Sequence, residues 1–320
     1  MITEIRPQCP IGTHPVETGR YLIATNEIEK LTYDVTKWIE TRCPGAIIYG
    51  RPRLGKTRAI KYILQYLPYK FGDSLPVYQI CCKQHKTPNE STFYEEILEN
   101  LNFGYLQGNK ANIKRDRLVK FLLEKAEFSG QYRVILFFDD AQCLFEMQYK
   151  WLMDIYNELD NYGVSLTILL VGQPELKHQK SAFIQAKKSQ IIGRFMVHEY
   201  SFTGIKNVED IRKCLYGYDV LSEYPKESGW SFTKYFFPEV FSEGTRLEDC
   251  AEDLYQVFFE ARQKAQIYGD VDIPMQYITL AIEYALKNFG ANGHNLDWLS
   301  RKQWIEAVKY SGYIDAERCT

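Results

Sequence analysis

One segment constrains this chain more than any other. Gly50-Arg51-Pro52-Arg53-Leu54-Gly55-Lys56-Thr57 satisfies G-x-x-x-x-G-K-[ST] in full. The apolar run Ala46-Ile47-Ile48-Tyr49 precedes it, and a helical pattern from Lys56 to Leu67 follows. A strand, a tight loop and a helix in that order wrap a polyphosphate with backbone N–H groups. Side chains at Gly50 and Gly55 would intrude on that wrapping. The helix N-terminus turns its partial positive charge toward the phosphates. Lys56 is expected to reach the β and γ oxygens, and Thr57 to hold Mg²⁺ through its hydroxyl. The expected binding set is Gly50, Arg51, Pro52, Arg53, Leu54, Gly55, Lys56, Thr57 and Arg58. ATP and Mg²⁺ are the implied cofactors.

The rest of the chain has to supply a sheet around that loop. Helical spacing begins near Asn26, read as an N-cap, with Ile28, Leu31, Val35, Trp38 and Ile39 on one face. Further strands are expected at 77–82, 134–138, 165–171 and 195–202, and helices at 92–101, 113–128 and around Trp151 to Leu159. The run Val134-Ile135-Leu136-Phe137-Phe138 is apolar throughout, as in parallel sheets covered on both faces. Strands alternating with helices give an α/β fold with a parallel sheet. The alternation stops near residue 205. An aromatic, turn-rich stretch follows (216–243), then helical sequence. The expected division is an N-terminal arm at 1–25, irregular over 1–20, a core at 26–205, an insertion and helical lid at 206–290, and a helical tail at 291–320. Packing is the favoured reading of the aromatic stretch. Trp298, Leu299, Trp304, Ile305, Val308 and Tyr310 form an apolar stripe that either packs on the lid or docks a partner.

Strand 134–138 ends in Asp139-Asp140. Asp139 is expected to hold Mg²⁺, directly or through water. Asp140 stands where many ATPases carry a Glu that polarises the attacking water. Its side chain is one methylene shorter, which sets the carboxylate about 1 Å back. Misplacement of that size costs about a hundredfold in rate, so slow hydrolysis is expected.

The order of these motifs resembles an AAA+ ATPase of the TnsC/TniB type, the transposition regulators related to MuB. The resemblance runs from about residue 40 to 285 and rests on further runs. These are Asp140-Ala141-Gln142, Ile168 to Leu176 with Val-Gly-Gln-Pro-Glu-Leu at its end, Ile192-Gly193-Arg194-Phe195, and Gly244-Thr245-Arg246-Leu247. ATPases of secretion systems of the ExeA kind share them. The resemblance implies a P-loop AAA+ sheet flanked by helices, with a small, mainly helical lid. It implies Gln173 at the sensor-1 position, Arg194 directed at a neighbouring subunit's nucleotide, and Arg246 at the sensor-2 position. It also implies self-assembly into a ring or filament, non-specific double-stranded DNA inside it, and transposase and target-selector partners. Lys83 and Lys86 (with His85 between them) and Lys110, Lys114 and Arg115 (with Arg117) are the candidate DNA contacts. Alternatives are a loader or motor of a secretion or replication system, and a nucleotide-gated scaffold with little hydrolysis.

Composition sets bounds on these readings. Hydrophobic residues are 45% and charged residues 25%, ordinary for a globular chain. Lys+Arg total 39 against Asp+Glu 41, a net charge of −2. Bulk charge therefore cannot hold this protein on nucleic acid. DNA binding would need local basic patches multiplied over assembled copies. No run of about 18 apolar residues exists for a membrane span, and residues 1–18 lack a signal-peptide core, so a cytoplasmic location is expected. The eight cysteines form no C-x-x-C pair and read as reduced thiols.

Overall fold

A computed structural model describes residues 5–104 and 110–319. Met1 to Glu4 of the expected arm and Thr320 of the expected tail lie outside the described residues. Contacts divide the chain into two compact units. The first holds residues 30–52 and 56–202. The second holds 5–29, 53–55 and 203–319.

The first unit is built on five strands: β1 (Gly45–Tyr49), β2 (Val77–Cys81), β3 (Arg133–Asp139), β4 (Ser165–Gly172) and β5 (His198–Ser201). Their order is β2-β3-β4-β1-β5, and every neighbouring pair is parallel. β3 and β4 lie inside the sheet, and Val134 to Asp139 and Leu166 to Gly172 are buried without a break. That explains their unalternating apolar sequence. The register aligns Tyr49 with Gly172, Phe138 with Leu170, and Cys81 with Asp139. The carboxyl ends of β1, β3 and β4 therefore lie at one edge. Ligands of open α/β sheets bind outside that edge, where the strand order reverses.

Helices cover the sheet. Leu118, Val119, Leu122 and Ala126 of helix Ala111–Ser129 join Leu136, Phe138, Leu152 and Ile155 in one core. The helix after the loop runs Lys56–Phe71, past the expected end at Leu67. Pro68 gives up its own N–H, yet its carbonyl still accepts from Gly72 N at 2.7 Å, so the last turn closes. Residues 195–197 were expected in a strand. Phe195 instead ends helix Ser189–Phe195, and β5 begins at His198. Phe195 and Met196 are buried at that helix end, so their apolar character serves helix packing.

The second unit has its own core, built on helices Val208–Tyr216, Ala251–Lys264, Met275–Phe289 and Arg301–Tyr310. The 216–243 stretch belongs to it. Tyr218, Phe232, Tyr235, Phe236 and Phe237 are all buried there. Buried Asp219 accepts from Leu247 N at 3.1 Å and Glu248 N at 2.9 Å, satisfying orphan amides at the start of the lid helix. The tail stripe divides. Leu299, Trp304 and Val308 are core, while Ile305 and Tyr310 are exposed.

Two further expectations need correction. Thr25, not Asn26, caps the helix Asn26–Glu40: its hydroxyl accepts from Ile28 N at 3.3 Å. The arm is also not wholly irregular. Pro15–Thr18 is a short helix capped by His14, and both His14 and Val16 are fully buried in the second unit's core. The His14 ring lies 4.4 Å from that of Tyr235 and 4.9 Å from that of Phe236.

Candidate nucleotide site

The loop leaves β1 at Tyr49, and Gly50 N donates to Gly172 O at 3.2 Å, stitching the loop to β4. Gly55 takes φ +105°, a conformation L side chains rarely adopt, so the second motif glycine is required by backbone geometry. The Lys56 ammonium donates to Gly50 O and Arg51 O, each at 2.7 Å. Its pKa is lowered to about 8, because burial disfavours the charge more than Asp139, Asp140 and Glu175 favour it. This half-buried ammonium, held by two backbone carbonyls, is placed to meet an anionic phosphate. Arg53 groups with the second unit, where its guanidinium donates to the Tyr277 hydroxyl and its carbonyl accepts from Gln276 N at 3.2 Å.

The Thr57 hydroxyl donates to Asp139 Oδ2 at 2.9 Å. Thr57 opens a helix after β1, and Asp139 closes β3, so the sheet order joins residues far apart in sequence. Gln79 of β2 donates to the same Oδ2 at 3.1 Å, and Asp140 N donates to Oδ1 at 3.1 Å. Burial raises the Asp139 pKa, with the Asp140 charge adding to it, against hydrogen bonds from Thr57, Asp140 N–H and Gln79 that lower it. A hydroxyl and a carboxylate at hydrogen-bond distance form a hard oxygen pair, the donor set that Mg²⁺ uses together with substrate phosphates. No group of three or more His, Cys, Asp or Glu able to hold a metal occurs among the described residues. The Thr57 hydroxyl and the Asp139 carboxylate fit a Mg²⁺ shared with a nucleotide.

Asp140 is exposed and sits in the left-handed region at φ 55°, ψ 38°. Asp tolerates that region better than longer residues do, because its short polar side chain bonds locally. That gives a backbone reason for Asp where a Glu was expected. Gln142 Nε2 donates to Asp140 Oδ1 at 3.1 Å, and Gln142 Oε1 accepts from Gln173 N at 3.0 Å. Gln173 thus lies just past β4, tied by its backbone to the Asp140 turn.

The remaining expected residues have local partners. Arg194 donates to Asn157 Oδ1 at 3.1 Å and lies 5.6 Å over the Tyr156 ring. Arg246, in the second unit, donates to Phe241 O and Thr245 O at 2.8 and 2.9 Å and stacks on Phe241. Among the DNA candidates, Lys86 and Lys110 are exposed with no ion pair among the described residues. Lys83 lies 3.5 Å from both Glu96 and Glu99, and His85 contacts Glu96 at 3.0 Å, so acids offset that cluster. Arg115 lies 3.6 Å from Asp116. Lys114 is corrected: it is 3% exposed, paired with Glu95, and donates to Ser91 Oγ at 3.0 Å. Its ammonium faces Glu95 and Ser91 rather than solvent.

Sequence reasoning passed over Gln79, Gln142 and the charge of Glu175. Gln79 carries a faint signal, as a polar residue inside an apolar strand. Gln142 stood in a quoted motif with no role assigned.

Residues 40–179 match the family model described as AAA domain. No curated protein sequence matches the chain. Among solved structures, ORC2 of Aeropyrum pernix in ADPNP–ADP complexes is similar, with a TM-score of 0.59 and 16% identity, over 93% of this chain and 71% of that one. Its ADP form gives a TM-score of 0.55 at 16% identity, over 92% and 71%. Domain III of the replication initiation protein DnaA from Thermotoga maritima gives 0.45 at 16% identity, over 92% and 95%. No helix among the described residues is long and apolar enough to cross a membrane. The five-stranded parallel sheet flanked by helices, with its helical C-terminal region, has the AAA+ fold.

Proposed function

We propose that this chain is an ATP-dependent, DNA-binding AAA+ regulator of DNA transposition. It assembles on target DNA and recruits or activates a transposase. The observation that carries the ATPase half is the meeting of Thr57 and Asp139 beside Lys56, with an exposed Asp140 one residue on. The motif order of the TnsC/TniB type supports the transposition half.

The loop amides and Lys56 hold the β- and γ-phosphates, and Lys56 gains charge stabilisation as the anion arrives. Thr57 and Asp139 would hold Mg²⁺, which when bound would neutralise charge on the phosphate oxygens. Asp140 orients the attacking water and accepts its proton. Gln173 contacts the γ-phosphate or that water. Arg194 leaves Asn157 and reaches the nucleotide of a neighbouring copy, exchanging an exposed hydrogen bond for a charged partner. Assembly precedes hydrolysis, and hydrolysis releases the copies.

DNA contacts come from Lys86, Lys110, Lys83 and Arg115. Displacing surface pairs such as Lys83–Glu99 costs at most about 1 kcal/mol each. Each copy supplies only a few phosphate contacts, which position without reading sequence. Assembly multiplies them through effective concentration. ATP thus shifts the population toward the DNA-bound state by binding the assembled form better.

Gel shift and filament imaging on duplex DNA, with and without ATP, test this reading. ATP should strengthen DNA binding and produce assemblies of many copies. DNA binding that is equal without nucleotide, or none with ATP, contradicts it. A second reading draws on the short reach of Asp140: a nucleotide-gated scaffold. ATP-dependent assembly without phosphate release would select it.

A further inference from the structure

We propose that Gln142 is a positioning residue that fixes Asp140 relative to the end of β4, and that hydrolysis depends on it. The inference rests on the ATPase reading above and goes beyond it, to a residue outside the P-loop and the acidic pair.

The geometry is closed on both sides. Gln142 Oε1 accepts from Gln173 N at 3.0 Å, and Gln142 Nε2 donates to Asp140 Oδ1 at 3.1 Å. A backbone N–H only donates, so the atom facing Gln173 has to be the amide oxygen. That leaves the NH₂ for the Asp140 carboxylate, which in its ionised form only accepts. The amide orientation follows from its two fixed partners. Few side chains can donate at one end and accept at the other over this span. Glu has the reach and no donor, and Met has the volume and neither.

The backbone around Gln142 is held as well. Gln179 Nε2 donates to Gln142 O at 2.8 Å and to Leu144 O at 3.3 Å. The Gln179 oxygen in turn accepts from the hydroxyl of fully buried Tyr149 at 3.1 Å. At Gly172, an added Cβ would fall 2.4 Å from Gln142 Oε1 and 3.3 Å from Gln142 N. Any larger residue at 172 evicts the amide, so β4 ends in glycine where Gln142 crosses it.

The consequence is specific to a short carboxylate. Asp140 hangs from a left-handed turn at the solvent-exposed end of β3. Bonding Oδ1 to Gln142 favours one orientation of the carboxylate and leaves Oδ2 for the attacking water. Preorganisation of this kind is paid for in folding rather than at the moment of reaction. Because Gln142 also holds Gln173 N, a shift of Gln173 on contact with the γ-phosphate is transmitted directly to Asp140.

The test uses the full chain and measures three quantities: single-turnover ATP hydrolysis, KM, and affinity for a fluorescent ATP analogue. Thermal melting monitors folding. Gln142→Glu and Gln142→Met should each lower kcat about tenfold or more, since misplacement near 1 Å costs up to about a hundredfold. Analogue affinity should stay within about threefold of wild type. Gly172→Ala, which displaces the amide without removing it, should reproduce the loss. In an Asp140→Asn background, Gln142→Met should cause no further loss, because its effect runs through Asp140. Unchanged kcat in Gln142→Glu overturns the proposal. So does a full additional loss in the Asp140→Asn background, or a fall in affinity that matches the fall in kcat. Wild-type hydrolysis no faster than Lys56→Ala overturns the ATPase reading, and this inference with it. Hydrolysis by wild type that Gln142→Glu matches overturns this inference alone.

Discussion

Nucleotide affinity should fall steeply with pH above 8. Burial holds the Lys56 pKa near 8, below its ordinary value of 10.5. The protonated form attracts phosphate more strongly than the neutral amine does, beside the loop amides. A bound polyphosphate raises the Lys56 pKa again, so binding takes up a proton wherever the free protein has lost it. If the bound pKa lies well above 9, the competent fraction is nearly complete at pH 7 and about one in eleven at pH 9. The Kd for a fluorescent ATP analogue then rises by up to about tenfold, or about 1.4 kcal/mol, between those values. The sign for stability is opposite. The folded pKa lies below the unfolded one, so charged Lys56 opposes folding at neutral pH, and that penalty fades as pH rises from 8 toward 10.5. Titrations at pH 7, 8 and 9 at constant ionic strength measure the effect. Lys56→Arg is the control, since a guanidinium keeps its charge throughout. A flat wild-type profile, or the same slope in Lys56→Arg, refutes the reasoning.

Three further outcomes test separate parts of the structure. Lys114→Met should leave DNA retention unchanged, whereas Lys86→Glu should weaken it in a salt-dependent way; a gel shift at two salt concentrations distinguishes them. Burial, with the Arg6 charge, lowers the His14 pKa to about 4 from 6.5. The unfolded chain therefore binds more protons between those values, and the melting temperature should fall as pH drops from 6.5 to 4. His14→Asn, which keeps a capping side chain, should flatten that window. Trp304→Ala removes a fully buried side chain and should cost about 3–5 kcal/mol in denaturant unfolding. A smaller effect would return the tail to the role of a docking surface.

The parts of the site legible in sequence were those whose chemistry is local. The loop from Gly50 to Thr57 needs only its neighbours to be recognised, and the apolar run 134–138 announces an inner strand that ends in acids. The bond between Thr57 and Asp139 follows once sheet order is known, because parallel strands bring their carboxyl ends together. Gln142 was not legible, because its two partners come from the ends of different strands and its role depends on both distances. Lys114 was legible and misread. It stands four and eight residues before Leu118 and Leu122, on the face those leucines bury, so helical spacing already placed it inside. The arm escaped because a six-residue run around a buried histidine carries no period. Its place was set by the rings of Tyr224, Phe232, Tyr235 and Phe236, more than 200 residues away.

The near-neutral charge takes its meaning from these details. Glu95, Glu96 and Glu99 stand against Lys114, His85 and Lys83, so acids offset this cluster of candidate DNA contacts. In the proposed function, assembly multiplies the remaining contacts, and assembly runs on nucleotide.

Phosphate release by the full chain with ATP and Mg²⁺, compared with Lys56→Ala and Asp140→Asn, tests the central claim most directly. The account predicts slow release by wild type, clearly above both variants, with Asp140→Asn still binding nucleotide. Release by wild type equal to that of Lys56→Ala would contradict it.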